Sequence, residues 1–409
     1  MKRALYVLWA VAFALGAWGV WERLTLGHRL AGYGSYVVWG LWVSAYIYLV
    51  GLSAGAFLLS SLVYVFGLQR LERIGKLALF TAIVTLLVAL LSIWFDLGHM
   101  ARFYKVFTSP NFSSMMAWMI WLYTAYFVLL LAEGYLVFRP DLVRWSRDPA
   151  RTPMQRAVAR WLTLGRTALD AATLAAERRA VRVLGTVGVP LAVAFHGGVG
   201  ALFATVSAKP YWHQSIVPIL FLTGALVSGG GLLTAMVAFA WAPRDDAWRE
   251  LTRVLGRLLL VLVLVDVLLE WAEFSIPLWY GTSPEGHLLR QVLWGPYWWV
   301  FWIVHLGLGT AIPVALLVAH GRDPVAVGTA GLLVAVTFMS VRLNVVIPAQ
   351  LEPALRGLER AFVGPRLVFQ YAPTVHEWLV TLFVLAVGAA LLWLGSRVLP
   401  LIDGKEVAR

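Results

Sequence analysis

Long apolar runs separated by short polar connections make up almost the whole chain. Ten such runs fall at 4–21, 36–67, 75–95, 115–138, 183–207, 214–240, 254–275, 296–319, 325–345 and 376–399. Each is near or above the roughly 20 residues a helix needs to cross a bilayer core. They are apolar on every side, which predicts helices facing lipid or other helices. The longest, from Tyr36 to Gly67, has no charged side chain and predicts a tilted, overlong helix. Gly40, Ser44, Gly51 and Gly55 along it leave shallow places where another helix backbone or a flat ligand can approach. Tyr36, Trp39, Trp42 and Tyr46 stack at helical spacing, an aromatic face that suits either an interfacial belt or a ligand platform. The first run follows Met1-Lys2-Arg3 and has Ala12-Phe13-Ala14 in the manner of a signal peptide. That cleavage site comes too early, and Trp18 and Trp21 look like an interfacial anchor, so a retained helix is expected. The prediction is an all-α polytopic membrane protein of about ten transmembrane helices, one integral membrane domain over residues 1–409.

Composition narrows the chemistry. Hydrophobic residues are 61% of 409 positions and charged residues 13%, far from the balance of a soluble domain. The lack of any cysteine excludes a thiolate-ligated iron–sulfur cluster or a disulfide within this polypeptide. The net charge of +12 follows membrane topology better than nucleic-acid binding. Ten spans put both termini on one side, and placing that side in the cytoplasm assigns 23 of the 33 Lys and Arg to inner segments. The connection 139–182 is the most basic of them and is read as a cytoplasmic loop. Its Pro140, Pro149 and Pro153 precede an Ala/Arg-rich run expected to form an amphipathic surface helix against lipid headgroups. The outer loops are richer in Trp, Tyr, His and Pro, as suits a platform for a rigid partner.

Ionisable side chains at membrane depth are costly unless they pair or work, so they mark candidate chemistry. Asp96 and His99 fall at the outer end of the third run and would share one helical side if that helix continued. They suit either a proton-accepting pair or a helix end bonded to neighbouring loops. His196 lies mid-span among Gly197, Gly198 and Gly200, which leaves room for a flat headgroup beside the imidazole; a backbone carbonyl as its partner is the alternative. His305, three turns inside the eighth run, reads as structural. Facing histidines at such depth could ligate haem, but no repeated two-helix histidine pattern appears, and no haem or metal site is expected. Asp266, Glu270 and Glu273 recur at i, i+4 and i+7, one helical face, and suit a file of proton-transfer groups or pairing with Arg342. Glu133 would be the opposite entrance to such a file.

Several motifs in order resemble the NrfD/polysulfide-reductase membrane-subunit family. They are Trp39-Gly40-Leu41-Trp42 followed by Val50 to Phe57, Asp96-Leu97-Gly98-His99, the helix start Asn111 to Met115, Pro210-Tyr211-Trp212 and Pro296-Tyr297-Trp298-Trp299. Arg342-Leu343-Asn344 and Tyr371-Ala372-Pro373-Thr374-Val375-His376-Glu377 resemble longer members, such as the integral subunit of periplasmic-facing hydrogenases. One departure is His99-Met100, where the family often has Arg-Pro. The resemblance implies two four-helix bundles with one flanking helix at each end, in a prokaryotic inner membrane. It implies a quinone-reactive anchor that exchanges electrons between menaquinone or ubiquinone and an outer-face, ferredoxin-like iron–sulfur subunit. Beyond that subunit it implies a molybdopterin or nickel–iron catalytic subunit. A quinone entering from lipid would then meet Trp42, Tyr46, Asp96, His99 and His196. Two other readings stay open: a proton or ion transporter without redox chemistry, and a purely structural anchor.

Overall fold

The structure, a computed structural model, describes residues 2–240, 244–355, 357–362 and 364–401. Arg356, Lys405 and Arg409, all counted in the charge partition, lie outside the described residues. The chain is a polytopic membrane protein built from helices: α1 (Lys2–Leu26), α2 (Leu41–Tyr64), α3 (Gly75–Asp96), α4 (Met115–Arg147), α5 (Pro153–Leu162) and α6 (Ala171–Ala204). It continues through α7 (Val217–Ala240), α8 (Asp246–Tyr280), α9 (Pro284–Trp294), α10 (Val300–His320), α11 (Pro324–Thr337), α12 (Met339–Val346) and α13 (Val375–Val398). Among the described residues nine helical segments are long and apolar enough to cross a membrane. The tenth expected span is α8, whose Arg257, Asp266, Glu270 and Glu273 set it apart in composition although it runs 35 residues.

The loop 139–182 departs from expectation. Helix α4 runs straight through Pro140 to Arg147. The amphipathic surface helix is the ten-residue α5, started by a capping box between Thr152 and Gln155. The Ala/Arg-rich run is instead the first three turns of α6, capped by Asp170. A buried ion pair explains why both long helices persist: Arg139 donates to Glu177 Oε2 at 2.6 Å and to the Ala168 carbonyl at 2.8 Å. Two buried charges that satisfy each other and a loop carbonyl are tolerated where either alone would not be.

Helices α2, α3, α4 and α6 form one bundle, and α7, α8, α10 and α11–α12 the other; α1 and α13 pair at the flank of the first, against α3. The glycines of α2 do what small residues do in lipid. A Cβ on Gly55 would lie 2.0 Å from the Ala225 carbonyl oxygen, and one on Gly229 would lie 2.8 Å from the backbone of Gly55 and Ala56. Helix α7 is equally close to α11, where a Cβ on Gly331 would meet the Gly231 oxygen at 2.7 Å. Thus α7 is the shared wall, in backbone contact on both sides.

Because the atoms facing Gly229 are backbone, nothing can swing aside to admit a larger residue. Gly229→Val is expected to lower stability by about 1–3 kcal/mol. Gly98→Ala, which meets nothing within 4 Å, should be neutral. The thermal unfolding midpoint of the detergent-solubilised protein checks both.

Candidate functional site

The first turns of α2 and α4 and the last turns of α3 and α6 meet at one end of the first bundle, here termed the aromatic end; α5 marks the opposite, basic end. Between these four helices opens a cavity of about 990 Å³. Its walls are largely aromatic, with Trp39, Tyr46, Trp94, Phe107, Tyr123 and Phe203 among them. Its polar groups are few and sit at two levels. Deep in the cavity the Tyr46 and Tyr123 hydroxyls hydrogen-bond at 2.5 Å. Towards the aromatic end come Asp96, His99 and Arg102.

Why Asp96 stands where it does follows from how α3 stops. Arg23 of α1 donates through Nε to the Phe95 carbonyl and through Nη2 to the Leu97 carbonyl, each at 2.7 Å. Those bonds take carbonyls that a helix end leaves without partners, and Leu97 turns extended. The helix therefore does not continue to His99, which lies exposed in the loop; the cavity, not a helical face, brings His99 near Asp96. Asp96 Oδ1 accepts from the Tyr33 hydroxyl at 2.9 Å.

Of the five residues expected around a quinone, Tyr46, Asp96 and His99 line this cavity and two do not. Trp42 is buried behind it: its indole N–H donates to the Glu377 carbonyl at 3.0 Å, and its ring packs against His28, Tyr33 and His376. The helix spacing that groups Trp42 with Tyr46 is too coarse to show that α13 covers one and not the other. His196 is fully buried, with Nε2 2.8 Å from the Phe221 carbonyl of α7. The space left by its glycines is filled: a Cβ on Gly200 would meet Pro218 at 2.6 Å, and one on Gly198 would meet Met119 at 2.8 Å. Sequence reasoning missed Tyr33 and Tyr123. Tyr33 sits in a loop without a motif, and Tyr123 is one of many aromatics along α4.

The second bundle holds a smaller cavity, about 40 Å³, at the same end. Asp266, Glu270 and Glu273 all line it, as their spacing predicts, together with Tyr211, Arg342 and Asn344. Asp266 accepts from the Thr223 hydroxyl at 3.0 Å, and Glu270 lies 2.8 Å from His305 Nε2. His305 is carried on Val300–Ala311, a stretch wound as a π-helix, a distortion common where a helix serves a site. The expected pairing with Arg342 takes another form. The guanidinium donates to the Phe221 carbonyl at 3.3 Å and lies over the Phe221 and Phe338 rings, 4.4 and 5.3 Å from their centroids. Its Nε and the Asn344 side-chain nitrogen are buried without a partner among the described residues. At roughly 10–15 Å³ per water, this cavity has room for a few water molecules to serve them. Glu133 joins neither cavity. It is completely buried between α4 and α6, both oxygens unpartnered among the described residues. Ten residues beyond Tyr123, it lies about 15 Å further towards the basic end.

The sequence matches the family described as polysulphide reductase, NrfD, over residues 30–354. It is similar to a selenate reductase subunit of Mesobacillus selenatarsenatis, 36% identical over 385 residues, which span 92% of this chain and 89% of that protein. It also resembles the Hdr-like menaquinol oxidoreductase integral membrane subunit of Archaeoglobus fulgidus, 27% identical over 99% of this chain and 94% of that one. A polysulfide reductase chain of Wolinella succinogenes is 26% identical over 70% of this protein and 85% of its own length. A family match over residues 30–354, together with a relative 36% identical across most of both chains, identifies the chain as a member of the NrfD polysulphide reductase family.

Proposed function

We propose that this protein is the quinone-reactive membrane anchor of a multi-subunit oxidoreductase, with the cavity of the first bundle as its quinone site. One observation carries the reading: a cavity of about 990 Å³ walled largely by aromatic rings, with few polar side chains, among them Tyr46 and Tyr123 at one level and Asp96, His99 and Arg102 at another. A large apolar space with a few convergent polar groups is what a flat, lipid-soluble ligand requires. The names of the relatives support it, since one is a menaquinol oxidoreductase subunit and others belong to selenate and polysulfide reductases. Menaquinone fits that company best, with ubiquinone as the alternative.

The chemistry divides between this protein and its partners. Oxidising a quinol releases two electrons and two protons. With no cysteine, the chain leaves the electrons to an iron–sulfur subunit docked at the aromatic end, and through it to a catalytic subunit. Its own side chains place the ring and take the protons: the tyrosine pair holds one ring oxygen, and Asp96 receives a proton from the other. Trp42 and His196 back the site from the second layer. Asp266, Glu270 and Glu273, with His305 between α8 and α10, form a proton-holding cluster in the second bundle, and Glu133 its counterpart towards the basic end. The basic end faces the cytoplasm, in the inner membrane of a prokaryote, which places the iron–sulfur partner outside.

Losing one positioned proton acceptor typically costs about 10²–10⁴-fold in rate. Asp96→Asn is expected to lower quinone-linked turnover by that order while the complex stays assembled and artificial-dye activity persists. Tyr123→Phe should act chiefly by raising the quinone KM. Near wild-type quinone turnover in Asp96→Asn would move the site elsewhere. Orientation has its own check: a cysteine placed at Arg151 should resist an impermeant thiol reagent in intact cells and react once the cells are opened.

A further inference from the structure

Between Asp96 and the loop surface of the aromatic end lies a polar cluster that the cavity itself does not use. His28, on the turn after α1, is half-buried, its ring 5.5 Å from the Tyr33 ring and 5.9 Å from the Trp42 ring. Its Nε2 is buried and has no hydrogen-bond partner among the described residues. Arg366 donates to the His28 carbonyl at 2.8 Å and so fixes the turn. Tyr33, the donor to Asp96, packs 6.3 Å from Tyr371, whose hydroxyl donates to the buried Glu377 at 2.6 Å. His376, on the far side of Trp42, is paired with Glu22 at 3.0 Å. The charged groups acting on His28 are Arg23 of α1 and Arg366 of the loop before α13, while Asp96 and Glu377 bond to Tyr33 and Tyr371 beside it. Burial, reinforced by the charge of Arg23, pushes the His28 pKa down to about 4, so the imidazole is neutral at neutral pH and holds a proton only in passing.

We infer that Tyr33 and His28 carry protons between Asp96 and the water at the aromatic end, along a route built by the two flanking helices. Only Tyr33 and Asp96 of this cluster fall within residues 30–354; His28, Arg23, Arg366, Tyr371 and Glu377 all lie outside that family match. The route deepens the quinone reading and rests on it. When a quinol in the cavity gives two electrons to the iron–sulfur partner, its two hydroxyl protons leave one after the other to Asp96, the second once the ring has turned that hydroxyl from the tyrosine pair to the carboxylate. Each time, the Tyr33 hydroxyl passes its own proton outward and is refilled from the Asp96 carboxyl, and His28 hands the proton to water. Run backwards, the same steps deliver protons for quinone reduction.

The test uses the assembled complex with menadiol as the probe and dye-linked activity as the check on assembly. His28→Asn keeps a polar side chain that cannot carry a proton. It should lower kcat at least about tenfold, leave the menadiol KM unchanged, and recover rate when imidazole is added. Tyr33→Phe, which removes one hydroxyl and keeps the ring, should show the same kcat-only loss and decides the matter if His28→Asn does not assemble. Turnover near wild type in either variant, or a His28→Asn loss that imidazole does not restore, overturns the route alone. A wild-type complex that does not oxidise menadiol at all overturns the reading of the cavity instead.

Discussion

Everything in this molecule depends on how closely α2 and α7 approach. Lipid offers helices little hydrophobic reason to associate, so contact rests on backbone proximity and on the few polar groups that find partners. Gly55 and Gly229 put the two backbones against one another, and no Cβ fits at either position. Beside this contact, two side chains from different elements use one acceptor: His196 of α6 and Arg342 of α12 both reach the Phe221 carbonyl of α7. The first bundle and the second are joined here by backbone contact and a shared oxygen, and elsewhere by the Tyr48 hydroxyl of α2, which donates to the Ala335 carbonyl of α11 at 2.5 Å. A shift of α7 along its axis would be felt at both.

The two cavities occupy corresponding places in their bundles. In the first, the start of α2, the end of α3, the start of α4 and the end of α6 provide the walls. In the second, the start of α7, the later turns of α8, the start of α10 and the end of α12 do so. What differs is the filling. The first is lined by rings and left open; the second is occupied by the Arg342 guanidinium, three carboxylates and His305, which leaves space only for water. The same scaffold thus yields an open, largely apolar cavity in one bundle and a small, charged one in the other.

The long apolar helices and the acidic face of α8 were legible in the sequence, because hydrophobic length and 3.6-residue spacing are local properties. The polar ends of α4, which runs to Arg147, and of α6 and α8, which start at Ala171 and Asp246, were not. The site was legible in part. Tyr46, Asp96 and His99 could be named, since an ionisable or aromatic group near a helix end stands out by depth alone. Trp42 could not be told from Tyr46, because α13, arriving more than three hundred residues later, decides which of them is covered. Nor could His196 be aimed: glycines beside it suggested free space, whereas Pro218 and Met119 fill it. The run after Pro153 was legible in part: its first ten residues form the expected amphipathic helix, α5, and the rest do not. An Ala/Arg-rich segment reads as a surface helix, but the Arg139–Glu177 pair draws it into the start of α6.

The flanking helices change the meaning of the core they enclose. Without α1 there would be no Arg23 to take the Phe95 and Leu97 carbonyls, and α3 would have no reason to stop at Asp96. Without α13, Glu377 would not gather the Tyr371 hydroxyl and the Gly32 and Thr374 N–H groups, at 2.6, 3.1 and 2.9 Å. Of the four hydrogen bonds onto this buried carboxylate, counting the Thr374 hydroxyl at 3.2 Å, the one from the Gly32 N–H ties down the loop before α2. A buried donor left unpaired costs about 1–3 kcal/mol, so that loop cannot drift while α13 is seated. Tyr33 rides on it. The residue that bonds Asp96 is thus positioned by a carboxylate some 340 residues further along the sequence, and the aromatic end of the first bundle is set by helices that are not part of the bundle.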